Sequence, residues 1–208
     1  MEEIGTGKAI AKFTLKFILW TVLFLIIGGI IVGVISGTSI VKVADSDMDD
    51  IADVEEMFHA IDGLVYGLII VAFIATLLAT KLAIGGVTKK GKITSGNRPK
   101  IMKGIAIVLI VIAILVTVIH CMLVNLINSY IMKEVKDYSS LSELVKDADD
   151  SREEIADIFD IRTESELEDS IDLLKGFVRT ENIYQFSGLI YVVMIPIAHV
   201  FLKKKEQS

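Results

Sequence analysis

Twenty-seven consecutive residues, Gly104 to Tyr130 (GIAIVLIVIAILVTVIHCMLVNLINSY), carry no Asp, Glu, Lys or Arg. At a helical rise of about 1.5 Å per residue, this stretch crosses a hydrocarbon core of roughly 30 Å with a turn or two to spare. Three further apolar blocks, about 17–36, 61–84 and 186–202, are spaced to pack around it. Nearly all the acid lies between the blocks, which is the pattern of a polytopic helical membrane protein. A membrane β-barrel would instead show alternating segments of about ten residues.

The expected fold class is therefore all-α: a polytopic four-helix transmembrane bundle with a small helical extracytoplasmic cap. The membrane domain takes 1–130 and 184–208, with spans at 17–36, 61–84, 104–130 and 186–202. The cap is drawn from 38–60 and 131–183, and 85–103 forms a basic cytoplasmic loop. A cleaved signal peptide is the rival reading of the first block. That block exceeds the usual apolar length of 7–15 residues and lacks a small-x-small cleavage site.

Charge sets the expected orientation. The first 16 residues, the 81–103 region and the C-terminal end hold 13 of the 21 Lys and Arg but only 3 of the 27 acids. Basic residues in short loops near span ends stay in the cytoplasm. Both ends of the chain and the 85–103 loop are accordingly placed there, in a multi-pass protein of the cell membrane. Cys121 is the single cysteine, so no intramolecular disulfide can form and the cap must hold by packing.

The cap reads as helices. Capping boxes, in which a Ser or Thr side chain and a Glu three residues on satisfy the first helical N–H groups, occur at Ser140/Glu143, Ser151/Glu154 and Thr163/Glu166. The last of these helices should bury Leu167, Ile171, Leu174 and Phe177 or Val178. A helix from about Asp47, with Ile51, Val54, Met57 and Phe58 on one face, should pack against it and run on into the second span.

Small residues four apart let helix backbones approach closely in lipid. Gly29, Gly33 and Gly37 in the first span and Gly63 and Gly67 in the second have this spacing. They predict packing within the bundle, with a homo-oligomer contact as the alternative.

Thr117, Cys121, Asn125 and Asn128 form a polar stripe on the outer half of the third span, with His120 beside it. An ionisable residue within a span marks a functional site by default, because its charged form is costly there. The plainer reading is a neutral His120 bonded to Tyr66 or to the Val192 carbonyl, which Pro196 cannot serve. The inner half of the span has no polar residue, which favours helix-to-helix hydrogen bonds or a shallow vestibule over a pore.

Asp45, Asp47, Asp49, Asp53 and Glu56 match positions 1, 3, 5, 9 and 12 of a calcium loop. Asp50 stands where the sharp turn needs Gly, and an acidic first helical turn explains the same residues without metal. No nucleophile–base set, metalloprotease helix or phosphate loop is present, so neither a catalytic residue nor a cofactor is expected.

The layout of a short outer loop, a short inner loop and a larger helical outer loop resembles the tetraspanin plan. The Cys-Cys-Gly motif and paired cysteines of that family have no counterpart here, so the likeness is one of layout and carries no residues over. The expected function is an interaction or accessory protein that presents an acidic helical domain to a membrane or envelope partner. The alternative is a small transporter or channel subunit with a polar vestibule around His120. Expected partners are the bilayer and a membrane protein or a second copy of the chain, with no nucleic acid.

Overall fold

A computed structural model describes the backbone of residues 4–45, 51–88, 93–131, 140–148, 150, 152–159 and 163–206; side-chain surroundings in 36–62 lie outside it. Every regular element is helical: α1 (Thr6–Asp45), α2 (Ile51–Thr88), α3 (Arg98–Ile131), α4 (Leu141–Lys146), α5 (Arg152–Phe159), α6 (Glu164–Gln185) and α7 (Leu189–Glu206). A 3-10 turn at Phe186–Gly188 joins α6 to α7, and there is no strand among the described residues.

Four stretches are long and apolar enough to cross a membrane: Thr6–Ile35, Gly63–Thr88, Arg98–Leu126 and Ser170–Lys204. The shortest has 26 residues, against about 20 needed to span a bilayer. The chain is a multi-pass helical membrane protein. One sequence expectation shifts in detail: the segment from Thr38 to Asp45, expected as loop, continues α1. As expected, the first-loop helix runs on into the second span, with α2 unbroken from Ile51.

The chain forms two compact units. The first comprises Met1–Gly33, Tyr66–Thr117 and Ser187–Ser208, and the second comprises Val34–Val65 and Val118–Phe186.

In the first unit, large side chains of α1 and α3 fill against small ones of α2. Ala75, Ala79 and Ala83, four apart on α2, are all buried, as are Phe13, Phe17, Ile101, Ile105 and Leu109. Phe13 stacks on Phe17 at 5.5 Å, and Phe17 meets the edge of Tyr191 at 6.2 Å. Thr76 and Thr80, also buried, donate their hydroxyls to the Ala72 and Thr76 carbonyls at 2.8 and 2.7 Å. A threonine hydroxyl away from water finds its nearest acceptor on its own helix in this way, although the buried Thr21 hydroxyl has no such partner.

Of the glycines expected to pack, Gly67 does bring α1 and α2 together, but its counterpart on α1 is Gly28 rather than Gly29 or Gly33. Val71 lies directly against Gly28, and a Cβ on Gly67 would sit 2.9 Å from Cγ1 of Val32. Each helix thus offers a glycine and a valine four residues apart, and each valine fills the space over the other helix's glycine. Gly29, Gly33 and Gly63 face open space within the chain, and Gly37 lies outside the described side chains. The physical reason is rotation. Position 29 lies about 100° round the helix from 28, and spacing alone does not say which of two adjacent glycine faces meets the neighbour.

At the other end of this unit, Asn97, the residue before α3, ties the turn ahead of that helix to Ile4. Its buried amide donates to the Ile4 carbonyl at 3.1 Å and its Oδ1 accepts from Thr94 N–H at 3.0 Å. Lys16 lies over Gly86, where an added Cβ would come 2.5 Å from Nζ. Since α2 has no basic residue in its last turn, Lys16 supplies the cation that the negative end of the helix dipole favours.

The second unit contains a small core of its own, formed by Leu141, Leu144, Val145 and Ala148 with Ile155, Leu167, Ile171 and Leu174. The three helices α4, α5 and α6 begin at the residue after each expected cap. At the first, Ser140 Oγ accepts from Glu143 N–H at 3.2 Å. Arg152 pairs with Glu164 and lies 3.7 Å from Glu168, fastening α5 to α6. The expected packing of the first-loop helix onto this core falls outside the described side chains, as does Phe177.

Reversing one knob-and-socket pair tests the α1–α2 contact. Gly28→Val should lower stability in detergent by about 1–3 kcal/mol through overpacking. Adding Val71→Gly should restore most of it, whereas Gly33→Ala should stay within about 0.5 kcal/mol, all read by thermal or denaturant unfolding.

Candidate functional site

The polar residues of α3 divide by role. His120, half-buried, places Nδ1 3.1 Å from the backbone carbonyl of Tyr184. Its ring also stacks on the Tyr184 ring, with centroids 4.1 Å apart and planes inclined by 19°. A carbonyl can only accept, so Nδ1 carries the proton in this pair. The bond has a local cause. Tyr184 is the penultimate residue of α6, whose last carbonyls lie beyond the reach of that helix's own N–H ladder. Gln185 gives way to the 3-10 turn, and His120 supplies a donor at the point where the ladder stops.

This partner differs from the two weighed from the sequence. Tyr66 is exposed in the first unit, and Val192 lies in α7 of that unit. The carbonyl that His120 engages belongs to a helix end, not to the proline gap.

Thr117, in the first unit, meets Gly188. A Cβ on Gly188 would collide with the Thr117 hydroxyl and sit 2.7 Å from the Ala113 carbonyl oxygen. Gly188 is fully buried, so the start of α7 rests on the backbone of α3 and only hydrogen fits between them. Cys121 is half-buried and forms no disulfide. Asn125 is exposed, and the Asn128 side chain lies outside the described residues. The stripe therefore does not close into one polar site: Thr117 packs on a glycine, His120 holds a helix end and Asn125 faces outward.

Among the described residues, no group of three His, Cys, Asp or Glu side chains could hold a metal ion. The calcium-loop positions Asp45, Asp47, Asp49, Asp53 and Glu56 fall outside the described side chains. His199 is exposed on α7, remote in sequence from the other two histidines.

Comparison with protein-family models, with curated proteins and with solved structures finds no match to this chain. The site must be read from its own chemistry.

Sequence reasoning singled out His120 but missed Tyr184 as its acceptor, and it missed Gly188. The signal for Gly188 was a glycine two residues after Phe186, where an acidic amphipathic helix changes into a wholly apolar one. For the Tyr184 carbonyl no sequence signal exists, because a backbone acceptor has no residue type.

Two substitutions separate the roles. His120→Phe keeps a ring for the stack and loses the donor, so it should cost about 0.6–2 kcal/mol. His120→Ala should cost about 0.5–1.5 kcal/mol more through the lost stack. Gly188→Ala forces a methyl group against backbone, which cannot yield as a side chain can, and should lower stability by about 1–3 kcal/mol. All three are measured by unfolding in detergent micelles.

Proposed function

We propose that this protein is a non-enzymatic accessory component of a cell membrane, presenting its acidic helical domain outside the membrane to a protein partner in the membrane or envelope. In this reading both ends of the chain and the 85–103 loop lie in the cytoplasm.

The observation that carries the reading is the core beneath α4, α5 and α6. Leu141, Leu144, Ile155, Leu167 and Ile171 are buried against one another, while Glu143, Asp150, Glu153, Glu164 and Asp172 remain exposed. A folded scaffold that holds carboxylates outward offers a fixed negative surface. Such surfaces steer a basic partner and reject acidic ones, and contribute more to specificity and association rate than to raw affinity.

The polar groups of the spans support the same reading over transport. Thr76 and Thr80 bond to their own helix, and His120 bonds to the carbonyl of Tyr184. These are the bonds of helix joints rather than of a lined path.

Topology is tested by cysteine labelling in a Cys121→Ser background. Ser95→Cys should react with a membrane-impermeant maleimide only after permeabilisation, and Ser142→Cys should react in intact cells. The opposite pattern would reverse the orientation. For function, a photocrosslinker at Glu153 in native membrane should trap a discrete partner, and Asp150→Lys with Glu153→Lys should abolish the product. If the purified chain instead moved ions or solutes in liposomes, and His120→Ala stopped that flux, the accessory reading would fall to the vestibule reading.

A further inference from the structure

Each of the four helices of the first unit carries an exposed apolar stripe that terminates in an exposed lysine. On α2, Ile70, Ile74 and Leu78 lie on one face at helical spacing, and Lys81 continues that face. On α3 the order reverses, with Lys103 followed by Ile107, Ile110 and Ile114. Lys8 leads into Leu15, Leu19 and Val22 on α1, and Val193 and Val200 lead to Lys203 and Lys204 on α7.

The lysine ends of α1, α3 and α7 fall together, while Lys81 lies about 7 Å inward along α2 from Gly86. Helices α1 and α3 begin where α2 and α7 finish, since Ile10 lies on Gly104, Lys16 lies on Gly86, and Ile4 and Leu202 share one core. The sequence of this unit holds 13 Lys and Arg against three acids, Glu2, Glu3 and Glu206, whose side chains lie outside the described residues. The collar therefore belongs to a unit with a strong excess of positive charge.

We infer that this collar binds anionic phospholipids. The phosphate of a lipid headgroup meets the ammonium at the stripe's end, and an acyl chain lies along the apolar residues that follow. The juxtaposition of charge and apolar stripe selects a lipid over a soluble anion, because a free phosphate would satisfy the lysine and leave the stripe unused. Lysines close to a membrane surface attract anionic headgroups by about 1 kcal/mol each, an effect confined to roughly a Debye length. That corresponds to about a fivefold preference per site.

The test uses the full chain reconstituted in vesicles of equimolar phosphatidylcholine and phosphatidylglycerol. Spin-labelled analogues of the two lipids report the motionally restricted fraction at the protein boundary. Phosphatidylglycerol should be preferred by at least about threefold, and the preference should shrink as salt rises. It should collapse to near unity in the combined Lys81→Gln, Lys103→Gln, Lys203→Gln and Lys204→Gln variant and persist when the same four become Arg. Inorganic phosphate should not displace the lipid. Equal restriction of both lipids by the native chain would overturn the inference. So would a preference that survives in the Gln variant, or displacement by phosphate, which would mark a site for a free anion. Because all four positions are exposed, unchanged unfolding of the Gln variant is expected and separates lost binding from lost fold.

Discussion

Lipid tails are as apolar as leucine, so helices that span a membrane gain little by hiding apolar surface from one another. What holds them is closeness of approach and the few polar groups that find partners. The first unit is organised by that constraint. Gly28 admits Val71 and Gly67 admits Val32, so α1 and α2 meet where each lacks a side chain. Ala75, Ala79 and Ala83 continue the same small-residue spacing along α2, and Ala79 and Ala83 share one core with Phe13 and Phe17. At Gly188 the fit is tighter still, since the opposing surface is the backbone of α3. Exposed Leu, Ile and Val elsewhere on these helices are consistent with the same physics, because the surrounding solvent is lipid.

Helices α4, α5 and α6 obey the opposite rule. There, burying apolar area is favourable by about 25 cal/mol per Å², and a handful of leucines and isoleucines suffices to bring α4 and α5 onto α6. So small a core leaves little margin. Local devices then matter in proportion: the Ser140 cap on Glu143 N–H and the Arg152 pairing that joins α5 to α6. Those devices occupy only some of the acids. The remainder stand free of the core, which is why the domain can be folded and strongly charged at once. That combination underlies the accessory role proposed for it.

What could be read from the sequence follows the range of the interaction concerned. The spans were legible because lipid acts on every residue of a long run alike. The starts of α4, α5 and α6 were legible because a capping box is completed within four residues, and Leu167, Ile171 and Leu174 follow from period alone. The details that needed a neighbour were not. Glycine spacing pointed to Gly29 and Gly33, but the face one residue round, at Gly28, is the one that meets α2. The bond from Asn97 to the Ile4 carbonyl spans 93 positions of chain, far beyond any local pattern. His120 read as a polar anomaly whose acceptor, a main-chain oxygen, could not be named in advance.

The histidine shows how a helix end constrains chemistry. A carbonyl near the close of α6 has no regular donor above it, and in apolar surroundings an unmet carbonyl costs several kcal/mol. His120 meets that need only with its proton on Nδ1. Removing this proton would set a lone pair against the carbonyl oxygen, and turning the ring away would break both the bond and the stack on Tyr184. A proton relay must pass its proton and return to its starting state at small cost. A residue whose proton also closes a helix end meets that condition poorly, and a joint between helices meets it well. An ionisable group in a span is therefore weighed first by what its neighbour requires of it. Here the neighbour requires a permanent donor.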